Sequence, residues 1–92
     1  MTFNGKITEV FPIVEMIINS EPSKKLEFLL EIESGKFPKN IVVEVWNDRV
    51  NNPNIAVGNQ VSVEANLKSR KVGDRYFNNI TAVKIEKTEQ PK

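Results

Sequence analysis

The fold is decided by Val61-Ser62-Val63-Glu64-Ala65-Asn66-Leu67-Lys68, a stretch in which every second residue is apolar. Successive side chains of a β-strand point to opposite faces of the sheet, so a period of two predicts a strand with one buried face. We expect Val61, Val63, Ala65 and Leu67 to lie on that face. The remaining segments must supply the strands that pair with it.

Two segments before this stretch have the same alternation. In residues 40–46 it predicts Ile41, Val43 and Val45 inward, and Val42, Glu44 and Trp46 outward. In residues 26–33 it predicts that Leu26, Phe28, Leu30 and Ile32 face the core, whereas Glu27, Leu29, Glu31 and Glu33 do not. Lys, Leu and Glu also favour helices, which leaves a helix as the alternative there. The regular alternation and the stop at Ser34-Gly35 favour the strand.

The two ends of the chain supply the outermost strands. Thr2 to Met16 reads as a long first strand, in which Gly5 suits a bulge and Pro12 suits a strand end or an unpaired edge position. Tyr76 to Lys87 reads as the last strand. Its alternation shifts phase between Ala82 and Val83, which predicts another bulge.

Turn-forming residues separate the five segments. We expect a polar loop at 19–23, a turn at 34–39, and a hairpin closed by Val72-Gly73-Asp74 between the fourth and fifth strands. Residues 48–56 lack strand character, and the proline in Asn51-Asn52-Pro53-Asn54 limits them to one short helical turn. An all-β, five-stranded OB-fold barrel with at most a short helical turn between strands 3 and 4 has this order. A small open sandwich or an SH3-like barrel shares much of it.

Length and composition limit the number of domains and the available chemistry. Ninety-two residues suit one domain, which we place at residues 1–87, followed by a short flexible tail at 88–92. The chain has no Cys and no His, so it lacks the thiol nucleophile, the commonest general base and the usual transition-metal ligands. It also has no Gly-rich phosphate loop and no Ser nucleophile motif. We therefore expect no enzyme activity, no catalytic residues, no cofactor and no metal.

Nothing near the N-terminus resembles a signal peptide, because Met1 to Lys6 has no basic segment followed by a long apolar run. The longest apolar stretches have about five residues, whereas about 20 are needed to cross a bilayer. We expect a cytoplasmic protein with no membrane partner. The net charge of +1 neither favours nor excludes nucleic acid as a partner, so the distribution of charge has to decide.

Several short motifs resemble those of bacterial and phage single-stranded DNA-binding proteins. Val57-Gly58-Asn59-Gln60-Val61-Ser62-Val63 resembles the turn that leads into an alternating strand in that family. Basic residues in Leu67-Lys68-Ser69-Arg70, a Gly-containing hairpin and the aromatic pair Tyr76-Phe77 follow in the family's order. Over roughly Thr2 to Glu86, the chain more closely resembles short, uncharacterised bacterial OB-fold proteins that share Phe37-Pro38-Lys39, Val45-Trp46-Asn47, Val57-Gly58 and Ser69-Arg70. The resemblance implies an OB-fold that binds single-stranded DNA.

Two features depart from that family. Residues 86–92 have neither a long flexible linker nor an acidic, Phe-ended tip, so we do not expect recruitment of replication enzymes through such a tip. The strand before Asn47 has one aromatic residue, where the family usually has several on its DNA-facing surface.

Binding of single strands requires aromatic platforms beside a cationic groove, and each stacked base contributes about 1–3 kcal/mol. Trp46 is the main candidate platform because strand parity places it opposite the buried face, although a core or dimer-interface position is the alternative. Tyr76 is the second candidate, whereas we expect Phe77, its neighbour on the other face, in the core. The candidate phosphate contacts are cations in loops and near strand ends: Lys39, Arg49, Lys68, Arg70, Lys71 and Arg75. Simple solubility is the alternative role for each of them.

Lys24 and Lys25 end the other loop that flanks the binding face of an OB-fold. Carboxylates oppose the hypothesis, because Glu27, Glu31 and Glu44 are expected on the outward positions of strands 2 and 3, where they would repel phosphates.

The leading hypothesis is sequence-tolerant binding of single-stranded DNA, with RNA left open as the ligand. The alternative is a protein-interaction or assembly module in which Trp46 and Leu29 form an apolar contact patch. We also expect a homo-oligomer, a dimer or a tetramer, because the long first strand offers an edge for pairing.

Overall fold

A computed structural model of the chain describes residues 1–32 and 39–88. These residues form six strands and one short 3₁₀ turn. The elements are β1 (Thr2–Val10), β2 (Val14–Ile18), β3 (Glu21–Ile32), β4 (Lys39–Trp46), the 3₁₀ turn (Asn47–Asn51), β5 (Gln60–Val72) and β6 (Arg75–Lys87). The predicted all-β class and the single helical turn before the fourth strand of the barrel are therefore confirmed.

Five of the strands close into a barrel. The sheet runs in the order β1-β5-β6-β4-β3, and β1 also pairs with β3, which joins the two edges. The β4–β6 pairing is parallel, and the other pairings are antiparallel. The extra strand, β2, pairs with β3 and continues the first strand after a break at residues 11–13. This is the predicted OB-fold, and Pro12 lies at the expected end of a strand.

A change of partner along β1 closes the barrel. Residues 2–6 of β1 pair with β5, and residues 6–10 pair with β3. At Gly5 the two neighbouring strands converge, so a Cβ atom there would overlap the backbone carbonyl of Glu31. The bulge predicted at Gly5 is wrong, because Gly5 stays in register with Val61 and the irregularity falls between Ile7 and Glu9. The glycine is required for close approach of two backbones.

The core fills the barrel with side chains from every one of its strands. The alternation predicted for β3 and β4 is confirmed at residues 26–32 and 41–46, whereas Glu33 lies outside the described residues. In β5 the alternation is confirmed as far as Ala65. The buried apolar residues are Ile7, Leu26, Phe28, Leu30, Val43, Val45, Val50, Val61, Val63, Ala65, Ala82 and Ile85. The expectation for Leu67 is wrong, because 54% of this residue is exposed. Beyond Ala65, β5 and β6 leave the barrel as a two-stranded hairpin, and nothing among the described residues buries Leu67.

Two turns and one bulge set the registers of the hairpins. Val72 pairs with Arg75 around Gly73, as predicted, and Gly73 has a φ of 61° that suits glycine. The phase shift in β6 is also confirmed, because Ala65 pairs with Ala82 and Glu64 with Lys84, which leaves Val83 as the extra residue. The predicted loop at 19–23 is wrong in length. Asn19 and Ser20 alone make the turn with φ of 51° and 68°, and β3 starts at Glu21.

Two predictions fall partly outside the described residues. The turn predicted at 34–39 does so except for Lys39, which begins β4. The tail predicted at 88–92 does so except for Thr88, whose backbone N–H donates to the carbonyl of Gln60 over 2.8 Å.

Candidate nucleic-acid interface

The outer surface of β3 and β4 carries three different kinds of side chain in successive cross-strand pairs. Lys25 lies opposite Trp46, the next pair on this face joins Glu27 to Glu44, and the third joins Leu29 to Val42. Because paired residues point to the same side of a sheet, the face presents a cation with an aromatic ring, then two carboxylates, then two aliphatic groups. We call this surface the outer face.

Trp46 ends β4 on the outer face and is half-buried rather than sealed in the core. The ammonium of Lys25 lies 5.8 Å from the centroid of its ring, within cation–π range. The backbone N–H of Lys24 donates to Oδ1 of Asn47 over 3.1 Å, which ties the start of β3 to the residue after the indole. Arg49 in the 3₁₀ turn donates from Nε to the carbonyl of Val83 over 3.3 Å. These bonds hold the end of β4 against both neighbouring strands.

The carboxylates at the centre of the outer face are less exposed than expected. Glu44 is at the expected outward position, but it is only 6% exposed. β6 pairs with β4 at this point, and the hydroxyl of Thr81 donates to Oε1 of Glu44 over 2.9 Å. Glu27 is half-buried, and one of its oxygens lies 3.8 Å from Nζ of Lys25. Glu31 is half-buried as well. The outer face therefore carries two half-buried carboxylates, Glu27 and Glu31, and the buried carboxylate of Glu44.

The hairpin of β5 and β6, residues 67–80, carries aromatic residues on both of its sides. Tyr76 is 70% exposed and lies opposite Lys71, whose ammonium is 5.8 Å from the ring centroid. Phe77 lies opposite Arg70 and is 46% exposed, so the expected core position is wrong. Phe77 shares its side of the sheet with Thr81, which contacts Glu44 on the outer face. The outer face therefore continues from β4 onto the hairpin at Phe77, and we include Phe77 in it. Tyr76 lies on the opposite side of the hairpin.

The candidate residues fall into two groups rather than one. β4 and β6 run parallel, so the start of β4 at Lys39 lies near the hairpin, and Trp46 lies about 20 Å away at the other end of the strand. The exposed cations Lys68, Lys71 and Arg75 lie in the hairpin strands, and Arg70 occupies β5 between them. Trp46 is thus brought together with Lys25 and not with the cations of the hairpin, whereas Arg49 donates to Val83 in β6.

Sequence reasoning missed two residues of this face. Lys25 was considered only as a loop residue, yet it lies within β3 beside the indole. Phe77 was assigned to the core because it alternates with Tyr76. The signal that could have found it is the length of β5 and β6, 13 residues each, which exceeds what the barrel can cover.

Other groups lie away from the outer face. The Glu86 carboxylate, 2.9 Å from the ammonium of Lys84, raises the pKa of that lysine through a hydrogen bond and its charge, and this exposed pair lies beyond the bulge in β6. Within residues 1–32 and 39–88, no cluster of three or more acidic or metal-ligating side chains is found. In the same residues, no helix is long and apolar enough to cross a membrane.

Comparisons with known proteins agree with this fold. The N-terminal domain of the PriB protein from Thermoanaerobacter tencongensis, a dimeric structure, has a TM-score of 0.72 at 20% identity, over 98% of this chain and 96% of that one. A small single-stranded DNA-binding protein from Streptomyces coelicolor has a TM-score of 0.56 at 22% identity, over 96% and 90% of the two chains. The SSB domain of a Synechococcus sp. protein has a TM-score of 0.65 at 10% identity, over 92% and 90%.

At these identities the likeness shows the fold. No curated protein sequence matches the chain. The model of the family described as "Domain of unknown function (DUF3127)" matches residues 2–86, and the chain belongs to this family.

Proposed function

We propose that this member of the DUF3127 family binds single-stranded nucleic acid along the outer face, without reading its sequence. The likeness to OB-folds that include a single-stranded DNA-binding protein and an SSB domain supports the ligand class. An OB-fold binds its ligands on the surface that corresponds to the outer face here, between the two flanking hairpins.

The observation that carries the proposal is an aromatic residue with a cationic residue as its cross-strand partner at each end of the outer face. Trp46 lies with Lys25 at one end, and Phe77 lies opposite Arg70 at the other. Bases stack on flat rings whatever their identity, and each contributes about 1–3 kcal/mol. The cations paired with these aromatic residues attract the phosphates of the same nucleotides.

The centre of the outer face requires a particular arrangement of the strand. Glu44 is buried beneath Thr81 and Glu27 is partly neutralised by Lys25, so Glu27 and Glu31 are the half-buried carboxylates near the path. We expect bases and sugars over Leu29 and Val42, and phosphates at the two cationic ends. Near-neutral total charge is compatible with this arrangement because the cations are concentrated where the rings are.

A fluorescence titration with oligo-dT tests the proposal. Trp46 is the one tryptophan of the chain, so quenching of its emission reports stacking directly. We expect affinity to fall with salt, with a slope in log K of about −0.7 for each phosphate contacted. Unchanged emission, together with no retardation of the oligonucleotide at low salt, would contradict the proposal.

A pair of charge variants localises the contact. Lys25→Gln should weaken binding and reduce the salt slope by about 0.7. Lys87→Gln makes the same change of charge at the exposed end of β6, and binding should stay at the wild-type value. Comparing oligo-dT with oligo-U then distinguishes DNA from RNA as the preferred ligand.

A second candidate function, assembly through protein contacts, is favoured by the composition of β2. This strand pairs with β3 on one side, and no described strand pairs with its other edge. Exposed aliphatic residues lie along or beside it, namely Ile13, Val14, Ile17 and Ile18, and 78% of Ile17 is accessible. Edge strands are usually protected by lysine or proline, and the only charge in β2 is Glu15. We propose that this edge pairs with the same edge of a second copy.

Sedimentation equilibrium tests the assembly. We expect a dimer or a tetramer, and Ile17→Lys should return the protein to a monomer because a charge on the edge opposes strand pairing. Val57→Lys places the same charge on another exposed aliphatic residue, so its mass should stay that of the wild type. A monomeric wild type would contradict self-association. Capture of one different protein that persists after nuclease treatment would favour an assembly role with another partner.

A further inference from the structure

The hairpin formed by residues 67–80 has a second accessible side that the outer face does not include. Tyr76 lies there with its ring 70% exposed, and the Lys71 ammonium is 5.8 Å from the ring centroid. Leu67 is exposed on the same side, and the hydroxyl of Ser69 is 2.7 Å from Oδ1 of Asn78 between them. We call this surface the rear side of the hairpin. Large exposed aromatic rings call for an explanation because most are buried.

We infer that the rear side is a second contact surface for the same nucleic-acid strand, which passes around the hairpin and stacks one base on Tyr76. The inference rests on the proposed function, because it extends the path of the strand from the outer face. It assigns Phe77 and Tyr76 to different nucleotides. The contact on the rear side requires a longer oligonucleotide than the contact on the outer face.

Charge distribution favours a polyanion over a protein partner on this side. Residues 67–80 contain four cations, Lys68, Arg70, Lys71 and Arg75, and one carboxylate, Asp74. The whole chain has a net charge of only +1, so the hairpin is the positive part of an otherwise slightly acidic domain. Both sides of the two-stranded ribbon lie in the field of these cations, which attracts phosphates to either side.

The pairing of residues makes the two sides chemically similar. Tyr76 lies opposite Lys71, and Phe77 lies opposite Arg70, so each side has one aromatic residue with one cation as its cross-strand partner. A ring next to a cation is the combination that binds a nucleotide without sequence preference. The hairpin ends in a two-residue turn at Gly73 and Asp74, so a strand meets only a narrow tip when it passes from one side to the other.

Oligonucleotide length separates the two surfaces experimentally. We would measure the affinity of oligo-dT of about 6 and about 16 nucleotides, which lie near the two limits of the site size of an OB-fold. Phe77→Ala should weaken binding of both lengths about five-fold or more. Tyr76→Ala should weaken binding of the long oligonucleotide by a similar factor and leave the short one within two-fold of the wild type. Tyr76→Phe keeps the ring and should bind both lengths as the wild type does.

A charge variant gives an independent readout. Lys71→Gln should reduce the salt slope by about 0.7 with the long oligonucleotide and leave it unchanged with the short one. Equal effects of Tyr76→Ala on both lengths, or none on the long one, would overturn the inference. A Tyr76→Ala variant with altered mass in sedimentation and wild-type affinity would also overturn it, because the rear side would then contact a second copy. If the wild type binds neither length, the proposed function itself fails.

Discussion

The strands of the barrel body and those of the hairpin have the same alternation of apolar and polar residues. They differ in whether another layer of the protein covers the apolar side. Ala65 and Leu67 are neighbours on one side of β5, yet Ala65 is buried and more than half of Leu67 is exposed. The pattern of a strand specifies which side chains share a face, and burial requires a second layer to cover that face. In the barrel the opposite wall supplies this layer. In the hairpin the two strands have only each other.

This difference separates stability from recognition within the domain. The apolar residues of the barrel body contribute the burial that holds the fold together. Substitution of the exposed aromatic and cationic residues of the hairpin should change the free energy of unfolding only slightly. Regions of this kind open and move more easily than a core, which suits a surface that adapts to a flexible strand.

The largest expected contrast in stability is between two residues on the inward-facing side of their strands, Phe28 in the barrel body and Leu67 in the hairpin. Phe28→Ala should lower the free energy of unfolding by about 3–5 kcal/mol, because it leaves a cavity in the centre of the barrel. Leu67→Ala should lower it by less than about 0.5 kcal/mol, because the side chain is already solvated. Urea unfolding monitored by Trp46 emission measures both. A comparable loss in the two variants would show that the hairpin is buried in solution.

The features of the fold that were predicted are those that depend on residues near each other in sequence. The strands, the bulge at Val83 and the turn at Gly73 all follow from local pattern and backbone preference. The length of the β2–β3 turn could not be predicted in this way, because Asn19 and Ser20 adopt positive φ and neither of them is a glycine. The role of Gly5 could not be predicted either, because it depends on the approach of Glu31 from a strand distant in sequence.

Two glycines provide the second contrast. Gly5→Ala should destabilise the protein by about 3 kcal/mol, since the added Cβ overlaps backbone atoms of Glu31 that cannot move without opening the barrel. At Gly73 the added Cβ meets open space, and the cost should be about 1 kcal/mol from the left-handed backbone alone. The same urea unfolding experiment ranks them. A larger cost at Gly73 would mean that the conformation of the turn controls the fold more than barrel closure does.

Two side-chain hydrogen bonds give a third, smaller contrast. Thr81→Val removes the hydroxyl that donates to Glu44, and a nearly buried carboxylate without its donor should cost about 2 kcal/mol. Ser69→Ala removes the bond to Asn78 in the exposed hairpin, where water replaces the lost partner, and should cost less than about 0.5 kcal/mol. Equal losses would contradict the view that only the barrel body is shielded from water.

The sequence predicted which types of residue form the candidate site, but it did not predict which of them lie next to each other. Sequence parity put Trp46 and the hairpin cations in one group, because strand length and the parallel β4–β6 pairing are not visible in a list of residues. It also could not show that Thr81, from a strand far along the chain, covers Glu44. Residue type suggests a function, whereas distances between strands decide which residues act together.

The smallest expected effect concerns Glu27, one of the two half-buried carboxylates of the outer face. Glu27→Gln removes a half-buried negative charge 3.8 Å from Lys25, so the lysine is freed for phosphate and the repulsion near the path disappears. Exposed charge pairs contribute about 0.2–1 kcal/mol, so affinity for oligo-dT at low salt should rise about two- to five-fold. The gain in affinity should become smaller as the salt concentration rises, because salt screens the repulsion between Glu27 and the phosphates.

Glu86→Gln is the matched control, since it makes the same change of charge on β6 beyond the bulge and should leave affinity unchanged. The two variants have the same net charge, so any difference between them is local to the outer face. If both tighten binding equally, total charge governs affinity and no path along β3 and β4 is needed. If neither does, the strand avoids Glu27, and binding is confined to the hairpin, which would make the exposed region the whole of the site.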